Sequence, residues 1–120
     1  MKSNLFVIQK YIEKPLLIKE RKFDIRLWVL ITHEHRCHIF KEGYLRMSSK
    51  PFSISQESVD NPFVHLTNNA IQKHDKDYGK EEEGNILSFE QGKEHTGIDF
   101  FEYTSEQILP VIKLTLISSR

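Results

Sequence analysis

The amino-acid sequence predicts an α+β fold, with antiparallel strands in the N-terminal half and a helix at the C-terminal end. Three observations predict it. Residues 22–31 alternate, with Phe23, Ile25, Leu27 and Val29 facing one way and Lys22, Asp24, Arg26 and Trp28 the other, the period of a half-buried strand. His38-Ile39-Phe40 and Tyr44-Leu45-Arg46-Met47 flank Lys41-Glu42-Gly43, whose glycine permits a turn, so the two runs predict a hairpin. Residues 105–118 are almost continuously apolar, and Thr104 with Gln107 predicts a capping box that opens a helix there.

The remaining elements come in chain order. Leu5 to Ile12 is apolar and β-branched until it meets Gln9, Lys10 and Tyr11, and predicts a strand. Glu13, Lys14 and Pro15 close it, because proline has no N–H to give to a ladder. Leu16 to Ile18 is a short apolar continuation, Ser48 to Pro62 reads as a connecting loop, and Val64-His65-Leu66-Thr67 as a strand end. Asn69 to Lys80 is polar, with at most a weak helix before Tyr78-Gly79. The run Glu81-Glu82-Glu83-Gly84 reads as a solvated surface segment. In the last helix Pro110 predicts a kink or a delayed start. A helix apolar almost all round requires burial on more than one side.

Composition excludes several classes. The 120 residues are 38% hydrophobic and 28% charged, which is globular rather than disordered. Net charge is zero, against a polybasic nucleic-acid binder, yet residues 1–50 hold eleven Lys/Arg to five Asp/Glu and residues 51–120 six to twelve. The basic half can attract anions locally. One cysteine, Cys37, allows no disulfide within the chain and fits a reducing compartment. No apolar run approaches the ~20 residues that span a bilayer, and the first residues lack the pattern of a signal peptide, so a cytoplasmic protein is expected.

Lys22, Asp24 and Arg26 share one strand face, where three charges require water or a charged guest. A nucleotide suits them, with cations for phosphate oxygens and a carboxylate for ribose hydroxyls or a bound cation. From pattern alone, a half-exposed sheet with cross-strand ion pairs is the commoner outcome. Arg46 comes after the proposed turn and falls beside Arg26; two guanidinium forks favour a carboxylate or phosphate, whereas a lone surface arginine needs no guest. His65, Thr67 and Asn68 are compact phosphate donors or, alternatively, the residues that cap a helix and shape a turn. His33, His35, Cys37 and His38 raise a metal reading. Zinc sites gather ligands from separate elements, which favours a strand end plus loop and no metal site. The phosphate-loop, HExxH, GxSxG and CxxC patterns are absent from the sequence.

Taken together these segments resemble the tubulin–tyrosine ligase family. The resemblance is carried by Val7-Ile8-Gln9-Lys10-Tyr11-Ile12-Glu13-Lys14-Pro15-Leu16-Leu17, by Arg21-Lys22-Phe23-Asp24-Ile25-Arg26-Leu27-Trp28-Val29-Leu30, and by Glu42-Gly43-Tyr44-Leu45-Arg46. His65-Leu66-Thr67-Asn68, Ile71-Gln72-Lys73, Tyr78-Gly79-Lys80 and Glu82-Glu83-Gly84-Asn85 come next in order. It is strongest over residues 5–90, and residues 1–120 read as one partial domain. It implies part of an ATP-grasp fold, in which ATP lies between two α+β lobes. In this family ATP phosphorylates a carboxylate of a tubulin tail, and the amine of a free amino acid attacks the acyl phosphate to form an amide.

By the same resemblance Gln9, Lys10, Tyr11 and Ile12 would line the adenine, and Lys22, Phe23 and Asp24 would contact the nucleotide. Arg26 and Arg46 would hold the acyl phosphate or acceptor, and His65, Thr67 and Asn68 would close on the phosphates. Mg2+ is implied for the family, but its usual downstream ligands, like the upstream lobe, have no match here. The chain alone is therefore expected to be inactive. The implied partners are the acidic C-terminal tail of tubulin and a free amino acid, with no nucleic acid and no membrane, in the microtubule cytoskeleton. Tyrosine is the amino acid read from the resemblance. The alternatives are a glutamylating or glycylating relative, or a fragment that binds nucleotide or tubulin without catalysis.

Overall fold

The computed structural model of the chain describes residues 6–118. Its centre is a four-stranded antiparallel sheet. Leu17–Ile18 (β1) turns directly into Arg21–Arg26 (β2) through Lys19 and Glu20, both in the left-handed region (φ 49° and 61°) that such two-residue turns require. Two further strands come later, Tyr44–Pro51 (β5) and Ile86–Ser88 (β6), and the spatial order is β1-β2-β5-β6. Between β2 and β5 the chain leaves this sheet to form a separate hairpin of Val29–Ile31 (β3) and Cys37–Ile39 (β4).

The alternation in β2 and β5 gives the sheet two unlike faces. Phe23 pairs with Met47 and Ile25 with Leu45, while Leu45 also pairs with Leu87 of β6. These side chains join Ile18 and Phe100 in the core, with Phe89 and Ile98 packed at its edge. The helix Phe89–Thr96 (α3) covers this face. It opens with a capping box of Ser88 and Gln91, immediately after apolar Leu87 of β6. Gly92 lets it approach: a Cβ there would lie 2.5 Å from Leu45 and 2.9 Å from the Phe100 ring.

Buried polar groups fix the chain beyond β5. Asn61 caps the short helix Pro62–His65 (α1), and Asn69–Gln72 (α2) comes next. Gln72 is buried and fully used. Its carbonyl oxygen accepts from Ser49 N–H at 2.8 Å, and its amide donates to the Phe63 and Leu66 carbonyls. Buried Asn85 accepts from Gly79 N–H at 2.8 Å and donates to Ser49 Oγ at 2.8 Å and the Met47 carbonyl at 3.3 Å. Arg21, only 5% exposed, donates two hydrogen bonds to Glu82 at 2.7 and 2.8 Å and a third to the Ser48 carbonyl. Among the described residues no buried side-chain nitrogen or oxygen lacks a partner.

The α+β expectation holds, and the sheet with its C-terminal helix is consistent with a partial ATP-grasp-like domain. Several element-level expectations do not hold. The strand expected from Leu5 begins outside the described residues, and residues 6–12 carry no strand. Lys22 to Ile31 is two strands in two sheets, broken at Leu27 and Trp28. The expected hairpin across Lys41–Gly43 is absent among the described residues, because β4 pairs with β3 (Leu30 opposite His38) and β5 with β2. The actual turn is 32–36, closed by Thr32 N–H to the Arg36 carbonyl, with His35 at φ 61°. Gly43 serves close approach instead, since a Cβ there would sit 2.6 Å from the Arg26 carbonyl oxygen.

Val64–Thr67 is not a strand end: Val64 and His65 close α1, with Leu66 as its cap. Glu82 is not solvated. It pairs with Arg21, which occupies the core-facing register of β2, and a buried guanidinium demands a carboxylate. At the C-terminal end Thr104 lies inside a helix already begun at Phe100–Tyr103 (α4), which Asp99 caps by accepting from Glu102 N–H. Thr104 Oγ1 donates back to the Phe100 carbonyl at 2.6 Å. A π-helical turn, Thr104–Ile108, leads into Leu109–Ser118 (α5), with Leu109 N–H bonded to the Thr104 carbonyl. Pro110 lacks the N–H that Glu106 would receive and crowds that carbonyl; the wider turn accommodates it. α5 leaves Val111, Leu114 and Ile117 60–67% exposed.

Candidate functional site

The face of the sheet opposite the core carries the charges. On β2 these are Lys22, Asp24 and Arg26, and β5 adds Tyr44 and Arg46 from the pairs Asp24–Arg46 and Arg26–Tyr44. Arg46 grips Asp24 as a fork: Nε donates to Oδ1 at 2.9 Å and the second guanidinium nitrogen to Oδ2. That hydrogen bond to Asp24, more than its charge, raises the Arg46 pKa further above its ordinary value and outweighs the lowering by burial. Arg26 lies diagonally across from Arg46 on the same face. Its side chain is exposed, with no hydrogen-bond or ion-pair partner among the described residues. The expected juxtaposition of the two arginines is therefore present, with Asp24 between them in register.

Lys22 stands at the other end of β2, opposite Leu17 and beside an irregularity in the β2–β5 pairing. Its ammonium donates to the His65 carbonyl at 2.9 Å and to Tyr11 Oη at 3.3 Å, and lies 4.9 Å from the Tyr11 ring centre. Tyr11 is stacked on Phe52, with ring centres 6.5 Å apart and planes 8° from parallel. His65 meets both rings edge-on.

The other expected residues are more scattered. Gln9, Lys10 and Ile12 are exposed on the irregular segment before β1, along a cleft of about 370 Å3 bordered by Lys10 to Lys14. Phe23 points to the core, edge-on to Phe100 at 5.9 Å, so only its backbone is available on the charged side. Thr67 is buried between α1 and α2, and Asn68 occupies the N-cap position of α2, exposed and without a side-chain cap bond. The histidines and Cys37 of the β3–β4 hairpin are not gathered: among the described residues no three His, Cys, Asp or Glu side chains are placed to hold a metal ion.

Sequence reasoning missed Phe52, Ser58, whose carbonyl oxygen lies 2.9 Å from His65 Nε2, and the Arg21–Glu82 pair. For Arg21 a signal existed. It shares the parity of Phe23 and Ile25, and a charge in the core-facing register of a strand implies a buried partner. Phe52 and Ser58 sit in a loop with no periodicity, and nothing local marks them.

The model of the tubulin–tyrosine ligase family matches residues 1–119, and the chain belongs to that family. The chain is similar to tubulin glycylase 3D of Tetrahymena thermophila, 42% identical over 122 residues, covering 93% of this chain and 12% of the relative. It is likewise 40% identical over 124 residues to tubulin glycylase 3B of the same organism, covering 98% and 10%. The human tubulin monoglycylase TTLL3 is 47% identical over 76 residues, covering 62% and 10%. The chain thus spans about a tenth of the length of these curated relatives. All three are glycylases by name, so the expectation of tyrosine gives way to the glycylase alternative.

Proposed function

We propose that this chain forms part of the ATP- and acceptor-binding core of a tubulin-modifying ligase, and that the amino acid transferred is glycine. The observation that carries the reading is the cationic face formed by half-buried Lys22 and Arg46 and exposed Arg26, on a sheet whose other face is a packed core. The names of the relatives support glycine and tubulin.

The chemistry asks for positioned charge. ATP gives its terminal phosphoryl group to a carboxylate of the tubulin tail, forming an acyl phosphate and releasing ADP. The amine of glycine attacks the acyl carbon, an amide forms, phosphate leaves, and the amine proton passes to solvent. No protein nucleophile is needed. Cations held at the oxygens that gain charge lower the barrier, because their orientation is settled before the reaction. Lys22 suits phosphate oxygens as a point charge, whereas Arg26, whose fork is free, suits the planar acceptor carboxylate or the acyl phosphate. Arg46 keeps one terminal nitrogen outside its grip on Asp24. The donor set does not fit Mg2+: both Asp24 oxygens are taken by Arg46, and no acidic cluster lies beside it among the described residues.

The test is a transplant. This chain replaces the corresponding segment of Tetrahymena tubulin glycylase 3D, and incorporation of labelled glycine, tyrosine and glutamate into tubulin is measured. Glycine is expected to be incorporated in preference to the other two, and Arg46→Ala to reduce incorporation by about a hundredfold. Tyrosine or glutamate as the preferred label, or an Arg46→Ala chimera of unchanged rate, would sink the reading.

A further inference from the structure

We propose that Tyr11 and His65 are positioning residues for the Lys22 ammonium, holding it in place for a phosphate group; this rests on the ATP reading above. Hydrogen-bond direction assigns the roles. His65 Nε2 lies 2.9 Å from the Ser58 carbonyl oxygen, which can only accept, so Nε2 carries a hydrogen. In the neutral ring Nδ1 is then an acceptor, and Tyr11 Oη, 2.8 Å away, donates to it. With its proton so directed, the Tyr11 oxygen presents lone pairs to Lys22 Nζ at 3.3 Å. The backbone carbonyl of the same histidine takes a second ammonium hydrogen at 2.9 Å. Donation therefore runs one way, from Lys22 to Tyr11 to His65 to Ser58.

An ammonium has three donors. Two are held by Tyr11 and His65, which leaves the third for a guest. A lysine free in solvent gives up its rotamer freedom when it grips a ligand, whereas one already held has little left to lose. Phe52 steadies the arrangement by stacking on Tyr11 and meeting His65 edge-on, with ring centres 5.8 Å apart for the latter. The expectation that His65 contacts phosphate directly is thereby revised. Both its ring nitrogens are committed within the chain, and its influence on a nucleotide passes through Lys22.

Calorimetric titration of the protein with Mg-ATP separates the possibilities. Tyr11→Phe removes one oxygen and keeps the stacked ring, so it should melt like the parent and yet bind about tenfold more weakly. His65→Ala should weaken binding at least as much, and His65→Asn, which keeps an acceptor near the place of Nδ1, should recover part of the loss. Nitrogen-15 spectra of the histidines, with the His65 signal identified by its loss in His65→Ala, should show the Nε2–H tautomer. Parent-like affinity in Tyr11→Phe while Lys22→Ala binds weakly would overturn the positioning role and leave the ATP reading intact. Unchanged affinity in Lys22→Ala would instead overturn the ATP reading at this residue, and the positioning role with it. A hydrogen found on Nδ1 of His65 would break the one-way chain of donation by itself.

Discussion

The four-stranded sheet and the elements that project from it are held by different means. In and around the sheet, apolar side chains are buried, and among the described residues no fully buried side-chain nitrogen or oxygen is left without a partner: Arg21 is matched by Glu82, Gln72 by Ser49, Asn85 by Gly79 and Ser49. In the β3–β4 hairpin and α5, large apolar residues face water, Leu30 at 64% and Leu114 at 67% exposed. The radius of gyration, 16.6 Å, exceeds the roughly 13–14 Å of a compact domain of this length, as projecting elements require. Stability therefore resides in the sheet, and the projections contribute little to it.

The sharpest way to break that comparison is through ion pairs at neighbouring positions. Arg21→Ala strands Glu82 in a site where both side chains are under a tenth exposed, and should cost about 3–5 kcal/mol in urea unfolding. Glu81→Ala removes only the exposed contact with Lys19 and should cost less than about 1 kcal/mol. Replacing both buried partners by Met and Leu should recover most of the loss, since two apolar groups need no pairing. Equal costs for the buried and exposed deletions would refute the division.

Truncation of apolar side chains sharpens it next. Leu45 is fully buried between α3 and the sheet, and Leu45→Ala should cost about 2–5 kcal/mol. Leu114→Ala in α5 should stay within about 0.5 kcal/mol, because little area is withdrawn from water there. The two are compared by the shift in urea midpoint at constant slope.

The smallest expected effect is electrostatic. Hydrogen bonds from Lys50 and then Lys80 hold the Asp77 carboxyl down at about 2, below its ordinary 3.8. The Lys50 ammonium is raised in turn by its bond to Asp77. The unfolded chain takes up the Asp77 proton first as acid is added, so this stabilisation is complete above about pH 4 and is lost as pH falls towards 2. Lys50→Met should lower the urea midpoint slightly at neutral pH, converge with the parent near pH 2 and so flatten the acid-unfolding curve between, because the contribution it removes is the one the parent loses in that window. An unaltered acid profile would show that Asp77 contributes nothing there.

How much of this was legible in the sequence depended on range. The alternation of Lys22, Asp24 and Arg26 against Phe23 and Ile25 was readable because period-two patterning is local, and it located both the core and the charged face. Pairing was not. Gly43 looked like a turn, but its role is set by the Arg26 carbonyl, which no neighbouring residue announces. Ser88-x-x-Gln91 and Thr104-x-x-Gln107 carry the same capping pattern. Only the first stands at the end of a strand; the second lies within a helix that Asp99 has already opened. Asp24 and Arg46 were both expected to hold guests, and the sheet register makes them each other's partner.

The central strand β5 is bonded on both sides, and along it Leu45 and Met47 alternate with Tyr44 and Arg46. A slip of a single residue in its pairing would exchange the two sets, exposing both core residues and driving the Arg46 guanidinium into hydrocarbon. The charged face and the core are thus written on the same eight residues in alternating positions. The strand cannot misplace the arginine without also losing the core, so any copy of this chain that folds at all presents Arg46 on the charged side.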